Sequence, residues 1–183
     1  VIYVSLFEAI TGLIKNAVVD DDPKAPMHVG EVMALWTYLA FSQEAATFVQ
    51  IALNTTTDQE LRLALHDCLK LNNKHQERVR QVLVLNGVPL PPASEEKPLT
   101  DSTAIPHGVK QTDYEIANGL AIKSTSSMVM CATNAGQSVR NDIGLMWVEL
   151  QSEMLISSFN LKNIMRKRGW LKVPPYYVPP GKP

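Results

Sequence analysis

The chain has 183 residues, of which 45% are hydrophobic and 19% charged, and a formal net charge of −1. That length suits one domain with a real core, and the near-neutral balance argues against a nucleic-acid partner, which calls for a basic excess. No stretch reaches the ~18 uninterrupted apolar residues of a membrane span, and the two cysteines, Cys68 and Cys131, fall inside predicted helices, where buried thiols are expected rather than a disulfide framework.

Ser5 to Val19 carries apolar residues at Leu6, Ile10, Leu13, Ile14 and Ala17, the spacing of a short helix. These first residues have no basic leader before the apolar run. That argues against a secretory signal and makes a cytoplasmic location the expectation. Asp20-Asp21-Asp22-Pro23 ends the helix, and Pro23 and Pro26 keep the connection extended.

His28 to Asn54 is the first long helix. Its stripe runs Glu31, Leu35, Leu39, Ser42, Ala46, Val49, Leu53, in steps of three and four, the seam of a helix packed lengthwise in a bundle. Trp36, Tyr38, Phe41 and Phe48 are its bulky residues. Thr57 and Glu60 form a predicted capping box for the second long helix. The seam of that helix is Leu61, Leu65, Cys68, Asn72, His75, Val79, Val82, Asn86, with Asn72 and His75 polar inside an apolar stripe, and Gly87 stops it.

Val88 to Gln111 contains five prolines. A helix of about 27 residues is about 40 Å long, and about 24 extended residues at ~3 Å each can run its full length. The connection is therefore expected to return the chain to the far end, leaving the second and third long helices parallel. One long crossover between two helical hairpins is the ferritin-like arrangement. The third long helix starts with a capping box, Thr112 to Glu115, and then passes through Lys123-Ser124-Thr125-Ser126-Ser127, where helix propensity is weak and packing must hold the segment. Asn134-Ala135-Gly136 marks its end.

Ser138 to Asn141 is a predicted tight turn, and Asp142 serves the start of the fourth helix. The stripe of that helix is Ile143, Met146, Trp147, Leu150, Met154, Ser157, Leu161, Ile164, Met165, and Gly169 is its expected C-cap. Lys162 to Lys172 is basic, which complements the negative end of a helix dipole. The tail from Val173 has five prolines in eleven residues and is expected to be extended.

The predicted fold is all-α: a ferritin-like four-helix bundle with one long crossover, a short N-terminal helix and a Pro-rich tail. Its divisions are 1–27 (leading helix and linker), 28–169 (bundle, with the crossover at 88–111) and 170–183 (tail).

Three segments, HVGEVMALWTYL, SVRNDIGLMWVELQSE and RKRGWLKVPPYY, together resemble the uncharacterised family catalogued as domain of unknown function 3231. The resemblance covers the chain from about Phe7 to Tyr177. It implies a ferritin-like fold and an association with sporulation. Members occur in spore-forming bacteria, and some are provisionally named spore coat proteins. It implies no activity and no catalytic residues. It widens the expected location to the forespore, mother cell or spore coat.

A ferritin-like bundle raises the question of a di-metal centre, which takes a Glu from each of two helices and Glu-x-x-His from each of the other two. The sequence contains no Glu-x-x-His, and its histidines are His28, His66, His75 and His107. The complete site is absent, no cofactor is predicted, and a metal ion is the minor alternative. Counting from the turns puts His75 near the depth of Trp36 to Leu39, with Glu149 at the same depth, Cys131 close by and Glu153 one turn further on. The candidate polar pocket is His75, Glu149, Glu153, Asn72 and Tyr38. A Glu149–His75 pair is its centre and its weak candidate for a metal. The plainer reading of a seam histidine is a hydrogen-bonded residue that fixes helix register. Glu149 and Glu153 can equally flank the stripe and face solvent, and Trp36, Tyr38 and Trp147 are expected in the core.

Pro174-Pro175-Tyr176-Tyr177 matches a PPxY pattern, a preformed extended ligand for an aromatic groove. The preferred expectation is that Trp170, Tyr176 and Tyr177 pack on this bundle or on a second copy. With no nucleotide loop, nucleophile elbow or zinc-protease motif, the expected function is a non-catalytic structural or interaction protein, linked to spores through the resemblance. It would self-associate or bind coat or other cell proteins through Trp170 to Tyr177. The alternative is a metal- or small-molecule-binding bundle without a complete di-iron site.

Overall fold

The computed structural model describes residue 12, residues 24–177 and residues 179–181. Four helices carry the fold: α1 (Val29–Thr55), α2 (Gln59–Leu85), α3 (Asp113–Gln137) and α4 (Asn141–Arg168), with no strand among the described residues. The helix expected over Ser5 to Val19 lies outside the described residues.

Each helix begins and ends where local chemistry directs it. His28 caps α1: Nδ1 accepts from the Gly30 N–H at 3.0 Å, and the Glu31 carboxylate reaches back to the His28 N–H at 3.1 Å, closing a capping box around a histidine. The predicted cap of α2 is corrected. Asp58, not Thr57, is the N-cap, and its carboxylate accepts from the Leu61 N–H at 2.9 Å. Thr57 is drawn away by α3, donating its hydroxyl to Asp113 at 3.1 Å. The Thr112–Glu115 box caps α3 as the spacing predicts. Gly87 (φ 69°) and Gly169 (φ 71°) end α2 and α4 in the left-handed conformation, which strains residues bearing a Cβ.

Three contacts fix the direction of the helices. The Asp113 carboxylate at the start of α3 accepts from the Thr56 hydroxyl at 2.6 Å, so α3 starts where α1 ends. The Glu31 carboxylate near the start of α1 accepts from the Val139 and Arg140 N–H groups at 2.9 Å each, so α4 starts where α1 starts. Arg168 at the end of α4 donates to Asp58 at 2.7 Å, at the start of α2. α1 and α4 therefore run one way and α2 and α3 the other. The principal packing pairs, α1 with α2, α1 with α3, α2 with α4 and α3 with α4, are all antiparallel. The parallel pairs lie on the diagonals. This is the long-crossover topology.

The crossover lies along α1 as a strap. Trp36 Nε1 donates to the Pro89 carbonyl (3.1 Å), the Ser94 hydroxyl to Glu44 (2.7 Å), and the Lys97 N–H to Gln50 (3.0 Å). Asn54 then clamps both sides of Leu99: its amide donates to the Pro98 carbonyl and its oxygen accepts from the Thr100 N–H. The strap climbs in step with the helix, since about 18 helical residues and about 10 extended ones both span roughly 30 Å. Trp36 is thereby displaced from the core it was expected to join. It is 36% exposed and acts as the first peg of the strap.

The core has two storeys. The lower is built from residues such as Leu35, Leu39, Val79, Leu83, Trp147 and Leu150, and the upper from Val49, Leu53, Leu61, Leu65, Ile116 and Leu161. The α2 stripe drifts at its end: Leu83 is buried, while Val82 is only half-buried and Asn86 is exposed. A straight helix turns 3.6 residues at a time, so an alternating three-four count slips after several turns. Between the storeys lies a layer of small and polar side chains. In the upper storey Gly119 of α3 permits a close approach to α1, because a Cβ there would stand 2.9 Å from the Phe48 ring.

Candidate functional site

The layer between the storeys brings together five side chains from all four helices. Tyr38 (α1) and His75 (α2) are buried at 1% and 0% exposure, and Tyr38 packs edge-on to the Trp147 ring at 5.1 Å. The Ser127 hydroxyl (α3) lies 3.2 Å from the Tyr38 oxygen, the Tyr38 oxygen 3.3 Å from His75 Nδ1, and His75 Nε2 3.0 Å from Glu153 Oε2 (α4). Lys74 donates to the other Glu153 oxygen at 2.6 Å.

The donors and acceptors in this chain assign themselves. A carboxylate only accepts, so His75 carries its proton on Nε2 and presents a bare Nδ1. The Tyr38 O–H then donates to Nδ1 and its oxygen accepts from Ser127. Burial holds the His75 imidazole below its ordinary pKa, with Lys74 and Arg78 adding to the effect against the opposing pull of Glu153. Burial also lifts the Tyr38 phenol well above its ordinary value. Partial burial pushes the Glu153 carboxyl up, but the hydrogen bonds from Lys74 and His75 outweigh it and hold the carboxyl below the usual range. The result is an oriented row of hydrogen bonds, neutral in the middle, running from a half-buried ion pair to a buried hydroxyl.

The structure separates the members of the predicted pocket. His75, Tyr38 and Glu153 meet. Glu149 does not reach His75. It pairs with Arg78 at the rim, with 43% of its side chain exposed. The reason is helix offset: α4 is set so that Glu153 stands level with His75, while Glu149, one turn (about 5–6 Å) lower, stands level with Arg78. Asn72 belongs to a neighbouring knot on α1, where its amide donates to the Ser42 carbonyl at 2.8 Å and its oxygen accepts from the Ser42 hydroxyl. Cys131 is fully buried in the lower storey, one turn from Ser127. Ser127 and Lys74 are the members that sequence reasoning passed over. The signal for Ser127 was present in the α3 spacing Leu120, Ser124, Ser127, Cys131, which is a seam written in small residues.

These residues do not fit a di-metal centre. Among the described residues no three His, Cys, Asp or Glu side chains converge as a metal site. The two carboxylates of α4 nearest mid-bundle are each held by a cation of α2, Glu153 by Lys74 and Glu149 by Arg78. An added divalent ion would have to displace both cations. His66 and His107 are exposed, and His28 is a cap.

At the upper end, Trp170 packs on the core, its carbonyl accepting from the Asn118 amide at 3.2 Å. Tyr176 and Tyr177 do not follow it and are 88% and 83% exposed. No helix among the described residues is long and apolar enough to cross a membrane.

Residues 19–182 match the model of the family described as "Protein of unknown function (DUF3231)". The uncharacterized protein YvdQ of Bacillus subtilis (strain 168) is 31% identical over 153 residues, 84% of this chain and 90% of that protein. A crystal structure from Bacillus halodurans C-125, named a "putative spore coat protein", has a TM-score of 0.83 at 27% identity, covering 85% of this chain and 98% of that one. A two-domain protein of Anabaena variabilis containing DJ-1/ThiJ/PfpI-like and ferritin-like domains has a TM-score of 0.60 at 12% identity. The match covers 84% of this chain and 41% of that one, a likeness of fold alone.

Proposed function

This chain belongs to the DUF3231 family, and on that premise we propose that it is a non-catalytic structural bundle that associates with the spore coat. One observation carries the non-catalytic part: the mid-bundle polar groups are spent on each other. Both His75 nitrogens and both Glu153 oxygens already have partners within the chain. Such a closed row fixes helix register and gives a substrate no open base or nucleophile. The coat association is supported by the likeness to the Bacillus halodurans protein. The surface offered to partners is the tail, where Tyr176 and Tyr177 stand clear of the bundle.

Two measurements test this reading. The first is elemental analysis of protein purified without chelator or metal-affinity resin. Metal-free protein is expected. One or two transition-metal ions per chain, lost on His75→Leu, would overturn the non-catalytic reading in favour of a metal-binding bundle. The second follows a fluorescent fusion through sporulation in a Bacillus host. Enrichment at the spore periphery and in coat extracts is expected, and signal confined to the vegetative cytoplasm would overturn the coat assignment.

A further inference from the structure

α2 and α4 part at the upper half of the bundle, leaving a groove of about 410 Å³ between them. This falls within the range of small-molecule pockets, roughly 300–1,000 Å³. Its floor is Cys68, Leu120 and Ser124, all less than a tenth exposed, and its walls include Ala64, Ser157 and Leu161. A second void of about 20 Å³ lies behind the same three floor residues and reaches Asn72 and Ser127 in the mid-bundle layer. That space suffices for about one water-sized group. The groove and the polar layer therefore lie on either side of the same floor residues.

Ser124 makes this more than a surface cleft. It is 5% exposed, it lines both spaces, and it supplies the one hydroxyl of the floor. A hydroxyl both donates and accepts, so a ligand carrying one hydroxyl or carbonyl group can hydrogen-bond to it. The charges at the mouth narrow the ligand class. Glu60 is paired with Lys167, and Asp67 adds a further negative charge, so the mouth disfavours anions. The apolar floor and walls disfavour burial of any charge.

We propose that this groove binds a small uncharged molecule, mostly apolar, that places one hydroxyl or carbonyl against Ser124. The site is independent of the His75 row and of the coat assignment, because the ligand enters from the α2–α4 face and Ser124 belongs to no hydrogen bond of that row.

The test is titration of the ¹⁵N-labelled full chain with 1-octanol and, separately, with octanoate, followed by amide chemical shifts. Saturable shifts centred on Cys68, Leu120, Ser124 and Leu161 are expected with 1-octanol, with octanoate binding at least tenfold more weakly. Ser124→Ala should weaken 1-octanol several-fold. Ala64→Trp fills the groove from a half-exposed wall position and should abolish the shifts while the helical circular dichroism is retained. Ser157→Leu does the same from the opposite wall if Ala64→Trp fails to fold. Absence of saturable shifts with 1-octanol overturns the proposal, as do shifts that persist in the folded groove-filling variant, or octanoate binding as tight as the alcohol.

Discussion

Nε2 of His75 donates to Glu153 at 3.0 Å across the α2–α4 interface, while Lys74 holds the other carboxylate oxygen at 2.6 Å. Both titratable members are depressed in the folded state, His75 chiefly by burial and Glu153 by its two hydrogen-bond donors against the opposing effect of burial. A depressed pKa means that the unfolded chain binds protons first as the pH falls, so stability drops with acid. The His75 contribution is lost on going down from about pH 6.5, and that of Glu153 on going down from about pH 4.5. Urea unfolding between pH 7.5 and 5 should therefore show falling stability in the native chain and a flatter profile in His75→Leu. An equal slope in both would remove His75 from the acid response.

The Glu31 carboxylate ties the start of α1 to the start of α4. It is 2% exposed and serves three backbone N–H groups, those of His28, Val139 and Arg140. Glu31→Ala removes the shared acceptor of three part-buried hydrogen bonds at two helix starts and should cost about 3 kcal/mol. Glu31→Gln keeps an acceptor and should cost roughly half as much. Chemical denaturation of the two variants checks the order.

The corrected cap of α2 gives a paired comparison. Asp58 accepts from the Leu61 N–H and from Arg168, the latter tying α2 to the end of α4, and these bonds hold its carboxyl below the usual range against a contrary effect of burial. Asp58→Ala should cost about 1–2 kcal/mol, as N-cap losses do. Thr57→Ala loses only a hydrogen bond to Asp113 and should cost about 0.5–1 kcal/mol. Melting temperatures of the two variants, measured side by side, would refute this if Thr57→Ala proved the more damaging.

Burial pushes the Cys68 and Cys131 thiols up to about 11. At pH 7 that leaves on the order of one thiolate in ten thousand. Ellman's reagent should therefore react with neither cysteine in the native protein and with both in urea. A small neutral alkylating agent should reach Cys68 first, because Cys68 floors the α2–α4 groove while Cys131 is enclosed. Mass spectrometry of partly modified protein reads the order directly.

The tail divides at Lys172, whose ammonium sits 5.6 Å from the Tyr114 ring centre. Truncation after Lys172 should leave the melting temperature unchanged and, on the proposal that Tyr176 and Tyr177 meet partners, reduce self-association seen by size-exclusion chromatography. Trp170→Ala removes a ring packed on the upper core and should cost about 1–2 kcal/mol. An unchanged elution volume on truncation would take the tail out of self-association.

The four helices, their stop glycines, the Thr112 cap and the long crossover could be read without coordinates, because each depends on residues within a few turns of one another or on simple chain length. The His28 cap does not announce itself in the sequence, because histidine is an uncommon N-cap and its partner Glu31 also fits the seam spacing. Spacing marks His75 as a buried polar residue, since a polar residue in an apolar stripe points to the buried layer wherever its partners lie.

The partners themselves were set at longer range. Whether His75 meets Glu149 or Glu153, whether Trp36 enters the core or pegs the strap, and whether Thr57 caps α2 or binds Asp113 all turn on how far one helix slides along another. That offset is fixed jointly by contacts such as Glu31 with Arg140 and Arg168 with Asp58, more than 100 residues apart. Periodicity tells which face of a helix is buried. The rise along the axis relative to a neighbour depends on interlocking side chains across the whole interface, and one turn of error exchanges one glutamate for another.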